Sequence, residues 1–82
     1  MDTLLWLGYD DLALPFREIA ALLLYQPALD ARILHGYGSV PRGVQAVVVT
    51  VNGIYLPARV PLPQLRRRWA LWRKQGLAQR EL

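Results

Sequence analysis

The chain has 82 residues, enough for one domain near the lower size limit of a self-sufficient core. It has no Cys and one His, which excludes disulfides and a His/Cys metal cluster within one chain, and its formal charge is +4 at pH 7. With 54% hydrophobic residues it is more apolar than its small size requires, a surplus that homo-oligomers bury between subunits.

Thr3-Leu4-Leu5-Trp6-Leu7 is an apolar run ended by Gly8 and predicts a buried strand. The opening MDTLLWLG carries an acid and no basic segment, so no secretory signal is expected. No apolar run reaches the ~18 residues of a membrane span, so a cytoplasmic protein without a membrane partner is expected. Tyr9-Asp10-Asp11 is turn chemistry. Leu12 to Tyr25 reads two ways. Its Ala, Leu, Arg and Glu favour a helix from Pro15, whereas Leu12, Leu14 and Phe16 alternate as a strand does. Gln26 to Arg32 predicts one helical turn led by Pro27, Ile33 to Tyr37 a short strand, and Gly38 to Gly43 a loop.

Val44 to Val60 predicts an antiparallel β-hairpin. Asn52-Gly53 suits a two-residue type I′ turn, because both positions need positive φ. That turn would set Val51 against Ile54, Val49 against Leu56 and Val47 against Ala58. One face would then be wholly apolar, and Ala46, Val48, Thr50, Tyr55, Pro57 and Arg59 would form a mixed face. Pro57 lacks an N–H, which makes the second strand an edge.

Pro61 and Pro63 end the hairpin and open a helix that runs to Gly76. Leu65, Trp69 and Trp72 share one face of it, as core or interface anchors. The predicted whole is a single α+β domain, β-rich, with N-terminal strands within 1–25, the hairpin at 44–60 and a helix at 62–76. Charge is uneven: residues 59–82 hold seven basic residues against Glu81 alone, an excess that attracts phosphates. The bland reading of Arg66, Arg67, Arg68, Arg73 and Lys74 is a solvated helix back.

Catalytic chemistry is scarce. Ser39 is the one Ser, no acid has triad spacing to it, and Gly36-Tyr37-Gly38 lacks the Lys-Ser/Thr of a phosphate loop. No enzyme, cofactor, metal or small-molecule substrate is therefore expected.

The stretches LLWLGYDDLALPFREIAALL and QAVVVTVNGIYLPARVPLPQLRRR resemble the Rem family, small bacterial regulators of extracellular-matrix (biofilm) genes. The shared pattern is an apolar strand ending in Gly8, Arg17 ahead of an apolar run, an A-V-V strand from Ala46 and a basic last helix. The resemblance implies a LytTR-like fold in which Leu12 to Leu24 is one long strand, and that strand reading is adopted. It also implies rings that regulate transcription by binding double-stranded DNA through arginines. Arg17 matches the family arginine of the second strand. Arg42 matches the first of two adjacent arginines, and Gly43 stands at the second. Arg66, Arg67 and Lys74 are secondary DNA-binding candidates. The alternative is an oligomeric interaction or scaffold protein of the same fold that binds another protein, with Arg17 in a surface or inter-subunit ion pair.

Overall fold

The computed structural model describes residues 4–80, with side chains as far as 76. Thr3 of the first predicted strand and residues 81–82 of the tail lie outside the described residues. The fold is α+β. Its strands are β1 (Leu4–Trp6), β2 (Ala13–Pro15), β3 (Ile19–Leu24), β4 (Ala46–Thr50) and β5 (Tyr55–Ala58). Helix α1 (Asp30–Tyr37) lies between β3 and β4, and α2 (Leu62–Arg80) ends the fold. β1 and β2 form a small antiparallel pair, while β3, β4 and β5 make an antiparallel sheet in that order. β5 is thus an edge strand, as Pro57 requires.

The hairpin has a different register from the one predicted. Val47 faces Pro57, Val48 faces Leu56 and Val49 faces Tyr55. Its connection has three residues, Val51, Asn52 and Gly53. Gly53 N–H donates to the Thr50 carbonyl at 2.9 Å, and Thr50 N–H to the Ile54 carbonyl at 2.9 Å. Ile54 N–H is taken by Thr50 Oγ1 at 3.1 Å. Gly53 has φ 82, the left-handed conformation that such a loop demands at its last residue. A slip of one residue turns β4 over relative to β5, so Ala46 and Val48, rather than Val47 and Val49, share the main core with Leu56 and Ala58.

That core is built from one face of the sheet, the N-terminal pair and α2: Leu5, Leu7, Leu14, Phe16, Ile19, Leu22, Leu62 and Leu65 complete it. The other face is covered too. Val47, Pro57 and Ile33 of α1 are fully buried yet stand outside the main cluster. The predicted mixed face does not exist: Ala46 and Val48 lie on the main-core side, while α1 packs over β5, where Pro57 is buried and Tyr55 half-buried.

Three further expectations are corrected. Ile33 to Tyr37 is helix, since it continues α1. Leu12 to Leu24 is not one strand, because a 3-10 turn at Phe16–Glu18 divides β2 from β3. β1 is two-faced rather than buried: Leu5 is fully buried, whereas Leu4 and Trp6 are 54% and 52% exposed.

Candidate nucleic-acid interface

Arg42 lies in the exposed loop before β4, and its position is set by neighbours rather than by its own side chain. Its carbonyl accepts a hydrogen bond from the Tyr9 hydroxyl at 2.9 Å. Tyr9 follows Gly8, which lets the β1–β2 turn touch the end of β5. A Cβ at Gly8 would stand 2.8 Å from Arg59 Cβ, and the residue has φ +93. Arg59 N–H donates to the Leu7 carbonyl at 2.7 Å, and Gln45 Nε2 donates to the Arg59 carbonyl at 3.2 Å. Three segments thus converge where β5 ends.

Gly43 lies at this convergence. Gly43 has φ +79, and a Cβ there would stand 3.2 Å from Arg59 Nε. The Arg59 side chain thus passes beside Gly43 from the end of β5. Among the described residues, neither Arg42 nor Arg59 is paired with a carboxylate. Burial pushes the Tyr9 phenol above its ordinary pKa; the Arg59 charge opposes this and Tyr37 adds to it. Tyr9 therefore stays a neutral donor beside the two arginines.

Arg17 is elsewhere. It is exposed on the 3-10 turn, next to Glu18, whose carbonyl accepts from Val51 N–H at 2.9 Å at the hairpin tip. Arg42 precedes the other end of β4, whose five residues span about 17 Å. One subunit does not bring Arg17 and Arg42 together.

On α2, Arg66, Arg67, Arg68, Arg73 and Lys74 are exposed. The Arg73 guanidinium lies 5.2 Å from the centre of the Trp69 ring, a cation–π contact. Trp72 stacks on Phe16 at 5.7 Å between ring centres, and both tryptophans pack against the core. They are anchors of the helix rather than free stacking platforms.

Every basic residue except Arg17 lies in 31–80, and no Asp or Glu occurs there. Arg59, Tyr9 and Tyr37 were not among the predicted site residues; the long acid-free stretch marks this region as cationic without singling out Arg59. Among the described residues, no cluster of His, Asp or Glu could hold a metal ion. No helix among the described residues is long and apolar enough to cross a membrane. No known protein family, curated protein or solved structure matches the chain.

Proposed function

We propose that this protein is a homo-oligomeric DNA-binding regulator of transcription, without enzymatic activity, working in the bacterial cytoplasm. It contacts the phosphate backbone of double-stranded DNA through arginines repeated once per subunit. The observation that carries this reading is the approach of the Arg59 side chain to Gly43, the residue that follows exposed Arg42, in a stretch of chain without carboxylates. Two unneutralised guanidiniums on one exposed end are a natural phosphate clamp, since each offers forked donors. The resemblance to matrix-gene regulators supports the same reading, with Arg59 in the role of the second adjacent arginine. Exposed Leu4 and Trp6 provide apolar surface for assembly.

The test is binding to a fluorescent duplex of mixed sequence, followed by anisotropy across a salt series. Affinity should fall linearly on a log–log scale, with a slope of about −0.9 for each phosphate neutralised. Arg42→Ala with Arg59→Ala should abolish binding, while oligomer mass stays unchanged. Failure of the wild type to bind at low salt overturns the proposal in favour of a scaffold protein. Unchanged binding by the double variant, with loss in Arg66→Ala and Lys74→Ala, moves the interface to α2.

A further inference from the structure

We infer that the cleft between α1 and the tip of the β4–β5 hairpin binds a phosphate group carried on a small organic molecule. The cleft has a volume of about 560 Å³, within the range of small-molecule sites. Arg32 and His35 line its helical wall; Asn52, Ile54 and Tyr55 line its hairpin wall. Among the described residues, all its polar side chains can donate hydrogen bonds, and no carboxylate lines it. The acid nearest in sequence, Asp30, is engaged elsewhere, accepting from the Tyr25 hydroxyl at 2.6 Å.

Arg32 is held in place before any ligand arrives. Its Nη1 donates to the Tyr55 hydroxyl at 2.7 Å, and its guanidinium carbon lies 5.2 Å from the centre of the Tyr55 ring. One of its five N–H donors is thereby used, and the others are left for an anion. Tyr55 accepts in this pair, so its own proton is left to donate. Fixing a long cationic side chain in advance removes much of the ordering cost of binding. The walls are fixed as well. Gly36 allows α1 to press on the hairpin, because a Cβ there would stand 2.9 Å from both Ile54 Cγ2 and the Tyr55 carbonyl oxygen.

Donors on both walls suit a tetrahedral phosphate, whose oxygens point in several directions, better than a planar carboxylate that Arg32 alone would satisfy. Ile54, Ala31 and the Tyr55 ring give the organic portion apolar surface. Neither Arg42 nor Arg59 lines the cleft, so this inference is independent of the DNA reading.

The experiment is a titration of the full chain at low salt with adenosine 5′-monophosphate, inorganic phosphate and adenosine, followed by calorimetry and by amide NMR shifts. The monophosphate should bind saturably, inorganic phosphate more weakly and adenosine least, with shifts centred on 31–36 and 52–55. Asn52→Asp places a carboxylate in an exposed loop position and should weaken the monophosphate about tenfold or more, as should Arg32→Gln. The thermal midpoint of Asn52→Asp should stay near that of the wild type. Arg67→Ala with Lys74→Ala on α2 should leave affinity unchanged. The inference is overturned if neither phosphate probe saturates, or if adenosine binds as tightly as its monophosphate. It is equally overturned if the α2 variant loses affinity while Asn52→Asp keeps it.

Discussion

Adjacent residues on a strand point to opposite faces, so Val47 and Val48 probe the two sides of the sheet separately. Both are fully buried: Val48 in the main core and Val47 outside it, on the face that α1 covers. Truncation to Ala removes the equivalent of two methylenes, about 1.6 kcal/mol of transfer free energy, and the cavity raises this to roughly 2 kcal/mol. For a domain of this length the whole stability is about 4–12 kcal/mol. Each change should therefore lower the thermal midpoint by roughly 10 °C. Val51→Ala is the control: Val51 is 60% exposed, and its loss should cost under about 0.5 kcal/mol. Circular dichroism melts at one fixed protein concentration measure all three. The type I′ register gives another ranking, with Val47 and Val51 both costly and Val48 mild. That ranking would refute the three-residue loop and the two-sided core together.

Gly8→Ala should destabilise by roughly 1–3 kcal/mol, since it meets both a positive φ and a Cβ at 2.8 Å; the same melts read it. Tyr25 donates to Asp30, and that hydrogen bond, followed by burial and the Asp30 charge, raises its pKa above the ordinary value. A raised folded-state pKa favours the protonated phenol, so this contribution to stability is complete below about pH 10 and lost as pH rises through the folded value. Absorbance titration should show Tyr25 ionising late, and Asp30→Asn should bring its midpoint down. Trp72→Ala removes the stack on Phe16 and should cost roughly 2 kcal/mol, with increased protease cleavage in α2 as a second readout.

Some of this fold could be read from residue order, and the failures have local physical causes. Asn52-Gly53 marks the hairpin, but the loop length turns on Thr50 Oγ1, which captures Ile54 N–H and makes room for a third loop residue. Strand alternation in β3 is hidden by a bulge near Ala20. The register shifts between Ile19 and Ala21, so Ile19 and Leu22 both reach the core although three positions apart. Gly36 argues against helix by propensity, yet the close contact of α1 with Ile54 and Tyr55 needs a residue without a Cβ. The Leu65, Trp69 and Trp72 stripe was legible because helical periodicity survives intact in a single solvent-facing helix. Arg17 and Arg42 stood out only through resemblance. Arg59 was hidden because its neighbour Gly43 belongs to another segment, and proximity across strands is invisible in the order of residues.

The separation of Arg17 from Arg42 decides what a DNA-binding form must look like. One subunit offers Arg59, whose side chain passes beside Gly43, and Arg42 next to it in the chain, with Arg17 at the far end of β4. Two phosphate contacts give a salt slope near −1.8, so raising salt from about 50 to 200 mM would weaken binding only about twelvefold. Six contacts, from three subunits acting together, would weaken it about 10³-fold over the same interval. Where the α2 changes Arg66→Ala and Lys74→Ala leave the slope unaltered, it counts subunits on the DNA, independently of any mass measurement. A slope near that of two contacts would mean that a single subunit binds and that assembly has no part in recognition. A steep slope that flattens when the oligomer is dissociated, and also in Arg42→Ala with Arg59→Ala, ties these arginines to their repetition; a steep slope kept by the dissociated subunit would instead come from the five exposed basic residues of α2.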